Sequence, residues 1–143
     1  MLLRRSSQKM ELLKKVPMFN NLSQRHLREI GKHADQVKVE AGSVLAQQEK
    51  KGWEFILIVD GKARVVKNGK VIRQLSEGDF FGEISLIDGE PRTATVISDT
   101  NMTILVVNKT SFDHLLDNIP GLQRKILIAL CQYLRSAEKA THE

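Results

Sequence analysis

Seven glycines, Gly42, Gly52, Gly61, Gly69, Gly78, Gly82 and Gly89, punctuate the middle of the chain at intervals too short for helices of ordinary length. Between and beside them stand short runs rich in β-branched and apolar residues: Val37–Val39, Val44–Ala46, Phe55–Val59, Ala63–Val66, Val71–Leu75, Thr93–Ile97 and Thr103–Val107. Many short strands separated by glycine-bearing turns specify an antiparallel sandwich or barrel. Asn68-Gly69 marks a hairpin, because both residues tolerate positive φ. Asp60-Gly61 marks a turn between the Phe55–Val59 and Ala63–Val66 strands.

Both ends of the chain follow a helical pattern. Residues 6–15 form an amphipathic stretch broken at Pro17, and Ser23 caps a helix carrying Leu27, Ile30 and Ala34. After the strands, Thr110 and Asp113 have capping-box spacing ahead of Phe112, Leu115 and Leu116. Pro120 then opens a final helix to about residue 140, since proline suits a first helical turn. On that helix Leu122, Ile126, Ala129 and Tyr133 form one stripe, which Leu127, Leu130 and Leu134 broaden. The extra width leaves room for a second contact, either a partner helix in a homodimer or a lid over a ligand. The expected organisation is a basic helical segment over 1–16 and one β-barrel domain with flanking helices over 17–143.

Charge and cysteine usage narrow the function classes. The net charge is +5, but residues 1–15 hold Arg4, Arg5, Lys9, Lys14 and Lys15 against Glu11 alone. The remainder is nearly neutral, so no large basic surface for nucleic acid is expected on the main body. Arg4-Arg5-Ser6-Ser7 also matches a basophilic kinase substrate pattern, a four-residue match that arises often by chance. The longest apolar run, Ile126–Cys131, is far short of a membrane span, and the N-terminus has charges where a signal peptide needs apolar residues. A cytoplasmic protein is expected. The single cysteine, Cys131, sits on an apolar helix pattern and is expected to be buried packing.

The stretch that carries chemistry runs from Gly78 to Val96. Gly82 lets the backbone approach a ligand, having no Cβ in the way. Glu83-Ile84-Ser85-Leu86 lacks strand alternation and fits one short helical turn, whose first N–H groups favour an anion. Arg92 adds a planar, permanently charged fork suited to two phosphate oxygens. Glu83 supplies a carboxylate able to accept from a hydroxyl. Phosphate donors beside a hydroxyl acceptor describe a sugar phosphate or nucleotide.

Phe81-Gly82-Glu83-Ile84-Ser85-Leu86, followed by Arg92-Thr93-Ala94, resembles the phosphate-binding cassette of the cyclic-nucleotide-binding domain family, which includes the bacterial catabolite activator protein and protein kinase A regulatory subunits. The resemblance covers roughly residues 17–138 and includes Leu22-Ser23, Asp60-Gly61 and Gly78-Asp79. It implies a mainly β fold, an antiparallel jelly-roll barrel with N-terminal and C-terminal helices. It also implies ligand-binding roles for Gly82, Glu83, Ile84, Ser85, Arg92, Thr93 and Ala94. Gly82 would present its backbone, and Glu83 would take the ribose 2′-OH, the only free hydroxyl on the ribose of a 3′,5′-cyclic nucleotide. Ile84 and Ser85 would offer N–H groups to the cyclic phosphate, Arg92 would pair with its exocyclic oxygens, and Thr93 would stand near phosphate and base.

Thr93 leaves the base open, and cAMP is favoured over cGMP as the ligand. The chain also departs from the family. The turn at Gln47-Gln48-Glu49 lacks the usual glycine, and Ala137 and Glu138 stand where the bacterial activator caps adenine with two hydroxyl residues. Tyr133, Leu134 and Arg135 are therefore the candidates for a base lid. The sequence stops at Glu143 with no helix-turn-helix following. The expected protein is a non-enzymatic cyclic nucleotide sensor without metal or cofactor, acting on a separate effector protein. A nucleic-acid-associated regulator and a degenerate, ligand-free scaffold are the alternatives, with DNA binding disfavoured by the missing recognition helix. A metal-dependent barrel enzyme is disfavoured because His26, His33, His114 and His142 fall in helices or the tail rather than on strands.

Overall fold

The computed structural model describes the backbone of residues 2–142 and the side chains of residues 8–138. The side chains of Arg4, Arg5, Ser7 and His142 thus lie outside the described residues. The chain runs α1 (Leu2–Lys14), a 3-10 turn (Pro17–Phe19) and α2 (Gln24–His33). Five strands follow: β1 (Asp35–Val39), β2 (Val44–Ala46), β3 (Glu54–Asp60), β4 (Ala63–Lys67) and β5 (Lys70–Leu75). Next come β6 (Phe80–Phe81), α3 (Glu83–Asp88), β7 (Thr95–Ser98) and β8 (Met102–Asn108), and then α4 (Lys109–Asn118) and α5 (Leu122–His142). The strands form two antiparallel four-stranded sheets of order β1-β8-β3-β6 and β2-β7-β4-β5, a jelly roll with helices at both chain ends.

Alternation along β3 explains the layering. Phe55 and Leu57 join a core shared with the helices, whereas Ile56 and Ile58 face the second sheet. Strand β8 divides in the same way, with Leu105 and Val107 toward the helices and Met102 and Ile104 toward the second sheet. The first sheet is therefore a middle layer buried on both faces, which is why Phe55–Val59 reads as a continuous apolar run rather than an alternating one. A slip of one residue would exchange the two faces, so both cores hold the register. Asn68 and Gly69 adopt φ of 52° and 80° and close the β4–β5 hairpin. Asp60-Gly61 is also a turn, but β3 and β4 lie in different sheets, so it carries the chain across the sandwich.

Helix ends show where local pattern and tertiary structure agree. Ser23 caps α2, its Oγ accepting from His26 N at 3.2 Å. The capping-box expectation at Thr110 and Asp113 is corrected: Asn108, extended at the end of β8, caps α4 by accepting from Ser111 N at 2.9 Å. Asp113 instead pairs with Lys109 at 3.0 Å, one turn along the same helix. The final helix begins at Leu122 rather than Pro120, because Gly121 takes a left-handed φ of 80° and interrupts the backbone between them. Only its first half packs tightly, through Leu122 and Ile126, while Leu127, Ile128 and Leu134 are exposed. Cys131 is exposed and not buried as its apolar neighbours implied. Five residues beyond Ile126, it is rotated off the packed face.

At the other end, Leu13 and Val16 are buried in the helix-side core, and Lys9 Nζ donates to Gly31 O and Ala34 O at 3.1 and 2.8 Å. The latter contact covers the carboxyl end of α2. Among the described residues no helix is long and apolar enough to cross a membrane.

The layering has a measurable consequence. Ile58 is 0% exposed between the sheets, whereas Val71 on β5 is 57% exposed. Ile58→Ala should cost about 2–5 kcal/mol in denaturant unfolding and Val71→Ala under about 1 kcal/mol. Equal losses would contradict the assignment of the inter-sheet core.

Candidate functional site

The site is built where the first sheet hands the chain to α3. Strand β6 pairs with β3 through Ile56–Phe81 and Leu57–Phe80, which fixes where the backbone leaves the sheet. Gly82 then turns at φ 96°, ψ −10°, a left-handed conformation that side chains resist. A Cβ there would also collide with the Glu54 carbonyl and the Arg92 guanidinium. Helix α3 starts directly afterwards, so the N–H groups of its first turn lack acceptors from a preceding turn. Leu86 anchors α3 in the helix-side core, and Gly89 ends it by donating to Ser85 O at 2.9 Å.

Arg92 is held from three directions. Its main chain is pinned by Glu49 N donating to Arg92 O at 2.9 Å and by Arg92 N donating to Lys50 O at 2.8 Å. The turn supplying those contacts lacks its glycine, and Glu49 itself takes the left-handed φ of 74°. Such a conformation costs a residue with a Cβ about 1–2 kcal/mol, which packing must offset. The side chain is 9% exposed and donates from Nη2 to Glu54 O at 3.0 Å. A Cβ on Gly52 would overlap the guanidinium outright, although the backbone there is not left-handed. Gly52 and Gly82 thus form a slot in which only an absent side chain leaves room for Arg92.

The two charged groups so placed are incompletely satisfied. Among the described residues, Glu83 Oε2 and Arg92 Nη1 are the buried side-chain polar atoms without a hydrogen-bond partner. Both residues line one cavity, a lone acceptor and a lone donor that form no ion pair with each other. A buried polar atom left unpaired costs about 1–3 kcal/mol, and more when charged. Burial raises the Glu83 carboxyl above its ordinary value, against the pull of its own N–H and of the Arg73 and Arg92 charges. Burial likewise lowers Arg92, opposed by Glu54 and Glu83.

All seven cassette residues, Gly82, Glu83, Ile84, Ser85, Arg92, Thr93 and Ala94, line this cavity, whose apolar walls include Ala46, Leu75 and Val96. Strand β7 begins at Thr95 rather than Thr93, which leaves Thr93 and Ala94 in the loop at the cavity edge. Of the three lid candidates, Tyr133 lines the cavity. Leu134 is 58% exposed, Arg135 is exposed as well, and neither lines the cavity. Sequence reasoning missed Arg73, which lines the cavity from β5 with its guanidinium 4.9 Å from the centre of the Tyr133 ring. The available signal was period two: Arg73 shares a strand face with the buried Leu75. Gly52 was read only as turn punctuation, whereas its use is to make space.

A carboxylate acceptor, a guanidinium donor and free N–H groups around one partly apolar cavity suit a ligand with an anionic end, a hydroxyl and a flat apolar part. Residues 36–118 match the family model described as the cyclic nucleotide-binding domain. The chain belongs to that family. It is 40% identical over 114 residues to a cAMP-dependent protein kinase regulatory subunit of Schizosaccharomyces pombe, a match covering 79% of this chain and 28% of the relative. It is 32% identical over 127 residues to the cGMP-dependent protein kinase egl-4 of Caenorhabditis elegans, covering 84% of this chain and 16% of that one. The chain thus spans less than a third of the length of these relatives. In fold it also resembles the regulatory subunit of a cAMP-independent protein kinase A from Trypanosoma brucei, with a TM-score of 0.80 at 20% identity, covering 94% of this chain and 50% of that one.

Titration of Glu83 tests this description of the ligand-free site. Its carboxyl titrates above 4.5 when folded and near 4.5 when unfolded. Between those values the folded state holds the extra proton, so stability falls as pH rises through the interval and then levels. Glu83→Gln removes the titration. Wild type should lose stability relative to the variant as pH rises above 4.5. A difference that stays flat from about pH 4 to 8 in denaturant melts would show that Glu83 is not desolvated.

Proposed function

We propose that the domain binds a 3′,5′-cyclic nucleotide, with cAMP preferred over cGMP, and that the bound state regulates a separate effector protein. The observation that carries this reading is the pair of orphaned atoms on one cavity wall, Arg92 Nη1 as donor and Glu83 Oε2 as acceptor. An exocyclic phosphate oxygen suits the first and the ribose 2′-OH suits the second. The N–H groups of Ile84 and Ser85 face the same anion, and Thr93 and Ala94 border it. The Arg73–Tyr133 pair offers a cation and a ring to a purine base. The 40% identity to one cAMP-dependent kinase subunit supports the preference for cAMP, while further cAMP- and cGMP-dependent relatives lie together at 29–32%.

The route to an effector runs through Leu86. It belongs to α3, yet lies in the same core as Leu122 and Ile126 of α5. Drawing α3 toward a phosphate shifts the surface on which α5 rests and brings Tyr133 over the base. Such a switch needs the ligand to bind the closed arrangement more tightly than the open one. The exposed Leu127, Ile128 and Leu134 then provide the face that a partner, or a second copy of the chain, reads.

Calorimetric titration with cAMP and with cGMP tests the proposal. One-to-one binding is expected, tighter for cAMP. Arg92→Ala should lose about 2–5 kcal/mol, roughly 30- to 5,000-fold, with the fold intact by circular dichroism. Gly52→Ala should weaken binding nearly as much, because its Cβ enters the space of the guanidinium. No heat with either nucleotide would leave a ligand-free scaffold as the reading, and full affinity in Arg92→Ala would remove the phosphate clamp.

A further inference from the structure

Away from the cavity, three potential metal ligands from two helices converge. Glu29 and His33 stand one turn apart on α2, and His114 approaches them from α4. Glu29 Oε1 lies 3.4 Å from His33 Nε2 and 2.9 Å from His114 Nε2, and the ligand atoms of all three lie within 4.8 Å of one another. The imidazole rings are 4.7 Å apart between centroids. Four donors around a zinc-sized ion at about 2.0–2.1 Å stand roughly 3.3–3.5 Å from one another in a tetrahedron. Side-chain rotations of about an ångström bring this trio to that spacing.

We infer that Glu29, His33 and His114 form a binding site for a divalent transition-metal ion of the zinc class, which ties α2 to α4. Two imidazole nitrogens and one carboxylate oxygen are a donor set suited to zinc, nickel or copper rather than to magnesium or calcium. The surroundings of His33 match what a metal-bound histidine needs. With its proton on Nδ1, His33 donates to Ser111 Oγ at 2.8 Å, which leaves the Nε2 lone pair directed at the shared centre. His114 Nδ1 lies 3.3 Å from the Asn118 side-chain amide. Asn118 Nδ2 also donates to His114 O at 2.8 Å, which keeps the amide nitrogen toward the ring, so metal binding requires the His114 proton to sit on Nδ1 and the Asn118 side chain to move off it. Side-chain exposures of 29–43% leave the group open to solvent for ion entry and for a water as fourth ligand.

The histidines were set aside in the sequence because they stand on helices rather than strands. Folding brings Glu29 and His114 together across 85 residues. A metal there clamps the N-terminal helices to α4, and any ion that binds the folded state alone stabilises it.

The test is calorimetry of the untagged chain with zinc chloride alone, in a Cys131→Ser background that removes the exposed thiol. One-to-one binding is expected, with a thermal midpoint raised by roughly 5–10 °C at hundredfold excess over Kd. His33→Ala and His114→Ala should each weaken binding about a hundredfold or more. Glu29→Gln keeps the side-chain shape and should still lose about tenfold or more. His26→Ala, on the same helix but outside the trio, should bind as wild type does. Absence of heat overturns the inference, as does zinc affinity that survives His33→Ala and His114→Ala.

Discussion

The confinement of Arg92 is the constraint on which the site depends. A guanidinium buried without full hydrogen bonding is costly, and here it is held by main-chain bonds from the Gln47–Lys50 turn, by the Glu54 carbonyl and by a slot between Gly52 and Gly82. Each support has a local cost. Glu49 adopts a left-handed backbone, two positions give up a side chain, and Nη1 has no partner. Those costs are spread over two segments distant in sequence, residues 49–54 and 82–92, which the sandwich brings together. A charge held this firmly is pre-organised for an anion, because little rotamer freedom remains to be lost on binding.

The layered fold explains how one site can reach two surfaces. The first sheet faces the second sheet on one side and the helices on the other, so residues one apart on β3 belong to different cores. Helix α3 stands at the end of this sheet, with Glu83 and Ser85 buried at the cavity and Leu86 in the helix-side core. Leu86 thus links the cavity wall to the residues Leu122 and Ile126 of α5 through one packed core. The Glu29–His33–His114 cluster joins α2 to α4 within that helical layer.

Much of this was legible in the sequence, for identifiable reasons. Strand positions followed glycine spacing and β-branched runs, and Val44–Ala46 matches an observed strand at both ends. The cassette was legible because its residues are contiguous: Gly82 through Ser85 and Arg92 through Ala94 all reach the cavity from one stretch of chain. What stayed hidden depends on long-range contacts. Arg73 faces the cavity only because β5 packs beside β4, and Gly52 matters only because Arg92 returns to it across 40 residues of chain. Local rules also lost where tertiary structure set the terminus. Asn108 displaced the Thr110 cap because β8 runs straight into α4, and Cys131 is exposed because it is rotated off the face of α5 that meets the core.

The central claim is that Glu83 Oε2 is left unpaired for a ribose hydroxyl and Arg92 Nη1 for a phosphate. A double-mutant cycle between Glu83→Ala and removal of the ligand's 2′-OH addresses the first half without changing the fold. Affinities of cAMP and 2′-deoxy-cAMP would be measured calorimetrically for both proteins. The account predicts that loss of the hydroxyl costs wild type about tenfold or more, since a buried charged acceptor is left bare, and costs Glu83→Ala almost nothing. The same loss in both proteins would contradict it.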